Sequence, residues 1–176
     1  DMRDHDTGGH LERTTEFVRI MTEHICNNPS PGYTLTKDEA ENIVRSAKLH
    51  DLGKIAVPDN ILLKEGPLTK EEFEVIKEHP VKGEALLGQA IKRIDDDFLH
   101  TARDIAYYHH EKWNGGGYPK QLKEHEIPLS ARIVAIADVY DALVSDRPYK
   151  PPFSHEKAVS VILLESGAHF DPYLVK

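Results

Sequence analysis

Apolar residues recur along this chain at helical rather than strand spacing, and that periodicity predicts most of its elements. Leu11, Val18 and Ile25 stand seven residues apart with Met21 between them, predicting a helix over roughly residues 8–26. Asn27 to Thr36, with Pro29, Pro31 and Gly32, reads as a loop. Thr36, followed by Asp38 and Glu39, marks a helix start. Ala40, Ile43, Val44 and Ala47 form the apolar stripe of that helix, and Gly53 marks its end. Residues 57–67 read as irregular because of Pro58 and Gly66-Pro67. Thr69 caps a helix over about 70–78, Pro80 opens one to Ile91, and another covers about 96–113. After a loop over 115–126, Pro128 opens a helix to Ser145, Ser154 caps one to Ser166, and Asp171-Pro172 begins a last turn. No stretch alternates as a strand would. The pattern predicts an all-α fold, a compact single-domain helical bundle.

Composition narrows the class. The chain has 176 residues, enough for one domain with a proper core. Its net charge of −8 gives no electrostatic case for binding polymeric nucleic acid. An anionic ligand would need a local positive site, which metal ions can supply. No apolar run approaches the roughly 18 residues that span a membrane. The single cysteine, Cys26, excludes an internal disulfide and fits a reducing, cytoplasmic setting, with Cys26 itself expected as a small core residue. The chain starts at Asp1 without an initiator Met, which leads us to expect a domain (1–176) excised from a longer protein.

The candidate chemistry lies where polar residues continue apolar stripes. Asp138 shares a helical face with Ala131, Val134, Ala135 and Ala142. Asp51 follows Val44 and Ala47 at helical spacing, and His50 is beside it. His109 extends the stripe of Ala102, Ile105 and Ala106, with His110 adjacent, while His10 leads into Thr14, Phe17 and Met21. Any one of these, taken alone, reads best as a hydrogen-bonded core residue. Together, on four helices, they point to a buried multi-metal centre. Imidazole and carboxylate ligands suit iron, manganese, cobalt, nickel or zinc, and the lack of thiolates argues against structural zinc. A carboxylate such as Asp51 can bridge two ions, an arrangement suited to displacement at phosphorus. Lys54, and Arg147 with Lys150 after the Asp138 helix, are candidate phosphate contacts. Gly115 to Gly117 permit close backbone approach, and Tyr118-Pro119 would form a stiff aromatic wall. His5, His24, His100, His125 and His155 read as surface residues, and His169 as local loop structure.

These residues resemble a known family. His50-Asp51-Leu52-Gly53-Lys54, His109-His110-Glu111 and Gly117-Tyr118-Pro119 are similar to the motifs of the HD-GYP domain, a branch of the HD phosphohydrolases. Ordered matches extend over essentially the whole chain, including Glu78-His79-Pro80, Asp138 to Leu143, Arg147 to Lys150 and Phe170-Asp171-Pro172. The resemblance implies a helical bundle that hydrolyses cyclic di-GMP to the linear dinucleotide, to GMP, or to both, with some members acting on cyclic GMP-AMP. It implies metal ligation by His10, His50, Asp51, His79, His109, His110 and Asp138. It also implies phosphate or nucleotide contact by Lys54, Arg147 and Lys150, and a Gly117-Tyr118-Pro119 loop bordering the cleft. Asp51 and Lys54 carry the catalytic expectation. Such domains are commonly attached to receiver or other sensory domains. One departure is Asp6, which stands four residues before His10 where many members have Glu. Two divalent transition-metal ions are expected, iron or manganese first, with Asp6 a candidate ligand of a third. The alternatives are a catalytically silent receptor or docking module, and a hydrolase of another phosphate ester.

Overall fold

In the computed structural model of the chain, residues 7–146 and 151–176 are described. Among these residues eight α-helices follow one another: α1 Thr7–Asn27, α2 Lys37–Ser46, α3 Asp59–Leu62, α4 Lys70–Ile76, α5 His79–Ile91, α6 Asp97–Tyr108, α7 Leu129–Val144 and α8 His155–Leu164. Three 3-10 turns lie among them, at Ala47–Leu49, Leu52–Ala56 and Glu124–Glu126. Among the described residues only two isolated β-bridges interrupt this helical pattern, so the all-α expectation holds.

The apolar stripes bury one another. α1 packs on α2 and α7, α2 on α6, and α7 on α6 and α8. Val18 and Ile25 of α1, Ile43 and Val44 of α2, Ile105 of α6 and Ile133, Val134 and Ala137 of α7 meet in the main core. A second cluster joins Leu87 of α5 to Ala102 and Ala106 of α6, and so holds α5 against the bundle. Helix starts follow the polar signals. Thr36 and Glu39, and likewise Thr69 and Glu72, cap each other's backbone amides reciprocally, and Ser154 accepts from the Lys157 amide.

Three boundaries differ from the periodicity. The helix expected to reach Gly53 stops at Ser46, and the chain continues as two 3-10 turns around His50 and Asp51. Gly53 explains this. A Cβ there would lie 1.9 Å from the His79 carbonyl oxygen and 2.6 Å from the Gly83 amide nitrogen. Backbone thus crosses backbone at the start of α5, and a regular helix could not turn into that contact. The helix expected over 96–113 ends at Tyr108, because Trp113 and Asn114 donate their amides to the carbonyls of His169 and Ala168, each at 3.0 Å. The segment expected to be irregular contains α3. Cys26 is half-buried, its thiol directed at the Leu35 carbonyl at 3.4 Å, and is not in the core.

The C-terminal corner is polar but buried. Arg132 of α7 pairs with Asp171, donates to the Ile127 carbonyl at 2.9 Å, and lies over the rings of Tyr33 and Trp113. Beside it, the half-buried His169 imidazole stacks on Phe170. Burial, and then the charge of Lys112, push His169 down to about 4. A histidine depressed in the folded state favours folding while neutral, so this contribution is complete above its unfolded value of about 6.5. It is lost progressively as pH falls from about 6.5 to about 4, a difference of about 1–3 kcal/mol. Urea unfolding of wild type and His169→Asn at pH 7 and pH 4.5 checks this. Wild type is expected to lose more stability than the variant, and equal losses would refute it.

Candidate metal centre

The segments that broke helical expectation are those that carry the candidate ligands. The turn at 47–56 presents His50 and Asp51, the tight Gly53 crossing brings His79 at the start of α5 beside them, and the end of α6 supplies His109 and His110. α1 contributes His10 and α7 contributes Asp138. Two groups of ligand atoms result: Asp51, His79, His109 and His110, and His10, His50 and Asp51, each within 4.8 Å of one another. Asp51 belongs to both. Its Oδ1 lies 3.2 Å from Nε2 of His79 and 3.8 Å from Nε2 of His109, while Oδ2 lies 3.2 Å from Nε2 of His50. Asp138 joins the second group, with Oδ1 3.5 Å from Nε2 of His10 and 3.9 Å from Nε2 of His50. Lys54 donates to Asp51 Oδ2 at 2.6 Å, which anchors an ammonium at the rim.

Hydrogen bonds on the far side of the ring orient four of these five imidazoles. His50 Nδ1 bonds the Ala47 carbonyl at 2.7 Å, His79 Nδ1 that of Ile76 at 2.8 Å, and His109 Nδ1 that of Ile105 at 3.0 Å. His10 Nδ1 bonds Asp141 Oδ2 at 2.7 Å. A carbonyl or carboxylate can only accept, so each Nδ1 carries a proton and each Nε2 faces Asp51 and Asp138, offering a lone pair there whenever the ring is neutral. Lone pairs facing carboxylate oxygens do not hydrogen-bond. Among the described residues, His50 Nε2 and Asp51 Oδ1 are accordingly the buried side-chain atoms left without a hydrogen-bond partner. Buried acceptors converging in this way fit divalent cations, and the mixture of imidazole and carboxylate oxygen fits a transition metal.

The charges agree with that fit. Burial disfavours an ionised Asp51, yet His50 and Lys54 together hold its carboxyl well below the usual carboxylate range. Burial and neighbouring imidazoles hold His109 and His110 well below 6.5, so both are neutral. Burial raises Asp138 above the ordinary aspartate value. Burial also opposes a charged His50, but Asp51 and Asp138 outweigh it and raise His50 to about 9. With the protein's own charges alone, His50 keeps a proton that a divalent cation would displace on binding.

The expected ligands His10, His50, Asp51, His79, His109, His110 and Asp138 therefore lie together, with Lys54 beside them. Asp6, Arg147 and Lys150 lie outside the described residues. Gly117 is enclosed: a Cβ there would lie 2.3 Å from the Lys112 amide nitrogen and 2.5 Å from Glu111 Cα. Tyr118, expected as a cleft wall, lies with its ring stacked on His110, centroids 4.9 Å apart and planes 24° apart. Pro119 follows it through a cis peptide.

Sequence reasoning passed over the outer residues. Asp141, 1% exposed, bonds His10 and receives Arg13 Nε at 2.6 Å, and Arg13 also reaches Ser145 Oγ at 2.9 Å. Its placement three residues after Asp138, on the same helical face, was the available signal. Glu111 is likewise buried, and its carboxylate accepts the amides of Lys120, Gln121 and Leu122.

Comparison with known proteins bears on the family of the chain. Residues 9–174 match the family described as HD domain. A cyclic di-GMP phosphodiesterase of Vibrio cholerae is 49% identical over 177 residues, covering 100% of this chain and 36% of that protein. One of Thermotoga maritima is 49% identical over 176 residues, covering 100% of this chain and 45% of that protein. A 3'3'-cGAMP-specific phosphodiesterase of Vibrio cholerae is 38% identical, covering 100% of this chain and 31% of that protein. The chain thus spans less than half the length of the curated relatives it matches. A crystal structure of a cyclic GMP-AMP specific phosphodiesterase of V. cholerae superposes with a TM-score of 0.61 at 19% identity, covering 94% of this chain and 42% of that one, which bears on the fold alone. With its His-Asp and Gly-Tyr-Pro motifs brought together around one shared aspartate, the chain belongs to the HD domain family, in its HD-GYP branch.

Proposed function

We propose that this chain is a divalent-metal-dependent phosphodiesterase acting on cyclic di-GMP in bacterial second-messenger signalling. The observation that carries the reading is the position of Asp51, shared by two groups of imidazole ligands and paired with Lys54. Two ions held by these groups would supply Lewis acidity at a phosphoryl oxygen and lower the pKa of water. The chain's own residues do the rest. His79, His109 and His110 would hold one ion and His10, His50 and Asp138 the other, with Asp51 available to both. The Lys54 ammonium sets positive charge against a non-bridging phosphate oxygen, and the buried walls limit competing water. Arg147 and Lys150 are further phosphate contacts, and Gly117-Tyr118-Pro119 borders the bound nucleotide. Iron or manganese is the proposed metal, with nickel, cobalt and zinc next, and Asp6 the proposed ligand of a third ion. The setting is cytoplasmic, with an attached receiver or sensory domain in the full protein.

Relatives named as cyclic di-GMP phosphodiesterases, at 49% identity, favour that substrate over cyclic GMP-AMP. Cyclic GMP-AMP is the second reading because a relative named for it is 38% identical over the whole chain. Protein loaded anaerobically with Fe(II) or Mn(II) is to be incubated with each dinucleotide and the products separated. Faster loss of cyclic di-GMP, with the linear dinucleotide or GMP appearing, is expected. Binding of cyclic di-GMP without turnover under both metals would instead favour a silent receptor.

A further inference from the structure

Four of the five ligand histidines are held by a hydrogen bond that Nδ1 donates to Asp141 or to a backbone carbonyl. His110 differs. Among the described residues no hydrogen bond holds its ring, and the group lying flat on it is Tyr118. Tyr118 also donates its amide to the His110 carbonyl at 3.2 Å. What keeps Tyr118 there is the loop over 112–123, which closes on Glu111.

The Glu111 carboxylate is 2% exposed and accepts three successive amides, from Lys120 at 2.6 Å, Gln121 at 3.1 Å and Leu122 at 3.1 Å. Charge-assisted bonds of this kind are strong and directional. Gln121 adopts φ 58 within this turn, a left-handed conformation that a non-glycine residue holds only where its surroundings impose it. On the other limb, Gly117 lies against the backbone of Glu111 and Lys112 with no room for a Cβ. The loop therefore wraps one carboxylate, and Tyr118 projects from the wrapped loop onto the metal-ligand candidate.

We propose that Glu111 is a positioning residue for His110: by gathering the amides of residues 120–122 it holds Tyr118 against the imidazole, replacing the hydrogen bond that the other ligand histidines possess. The inference rests on reading His110 as a ligand. Orientation through a neighbour of this kind usually changes metal affinity about 10- to 100-fold.

The test uses the full chain, titrated anaerobically with Mn(II) by calorimetry, with helicity and Tm recorded for each variant. Glu111→Ala and Tyr118→Leu are expected to weaken one of two Mn(II) sites about 10- to 100-fold and leave the other unchanged. Glu111→Gln, whose carbonyl oxygen can still receive the Lys120 and Gln121 amides, should fall between wild type and Glu111→Ala. Amide exchange at residues 120–122 should accelerate in Glu111→Ala and not in Tyr118→Leu. If Glu111→Ala does not fold, Glu111→Gln and Tyr118→Leu decide. Wild-type affinity at both sites in either of these two overturns the proposal, provided His110→Ala has lost a site. If His110→Ala keeps both sites at wild-type affinity, the reading of His110 as a ligand has failed instead.

Discussion

Replacing Asp51 with alanine is expected to remove both bound ions and phosphodiesterase activity together. Among the described residues no other belongs to both ligand groups, and its two oxygens face different imidazoles, His79 and His109 on one side and His50 on the other. Loss of one transition-state donor in an active site costs about 10²–10³ in kcat. Loss of Asp51 should exceed that, because it removes the ligand candidate common to both groups and the partner that anchors Lys54. The fold should survive, since Asp51 belongs to none of the apolar clusters of the core. Metal content by elemental analysis, helicity and turnover are measured on one preparation. Two ions retained at wild-type affinity, or turnover within tenfold of wild type, would defeat the two-ion reading.

Asp171→Ala is expected to produce the largest loss of stability. The Asp171 carboxylate is 2% exposed, pairs with the Arg132 guanidinium and accepts the Tyr33 hydroxyl at 3.0 Å. Burial, then the Asp171 hydrogen bond, push Tyr33 up to about 12, so the phenol remains a donor throughout the working range. Removing the carboxylate leaves Arg132, 8% exposed, as an uncompensated buried cation. Breaking a buried pair in this way costs about 3–5 kcal/mol. Total stability of a domain is about 5–15 kcal/mol, so the variant should be marginal at best. Urea unfolding gives the answer, with an unchanged m-value required for the comparison. A loss under about 1 kcal/mol would place the corner among surface ion pairs, which it does not resemble.

The same two residues show what a sequence can and cannot reveal. Asp51 was legible because it continues the stripe of Val44 and Ala47, a local spacing that any buried carboxylate must justify with a partner. His10, His109 and Asp138 were legible for the same reason, and His110 by adjacency. His79 entered only through the resemblance of Glu78-His79-Pro80, since it opens its helix and continues no stripe. Asp171 was read as a turn residue. Its partner Arg132 is 39 positions away, and Asp141 finds Arg13 across 128. No spacing rule spans such separations. Glu111 was quoted as part of a motif, but its three amide partners appear only after the loop has closed on it.

The amino-acid sequence by itself determined the helical class, several helix starts through their capping residues, and which side chains would need an unusual partner inside. These follow from interactions within one or two helical turns. Tertiary structure alone decided the break of the helix before His50, because the crossing at Gly53 depends on α5 packing. It also decided the sharing of Asp51 between two ligand groups and which nitrogen of His10, His50, His79 and His109 faces the site. Those properties are set by atoms from distant segments meeting in a buried space, where an acceptor or a lone pair has meaning only relative to what faces it.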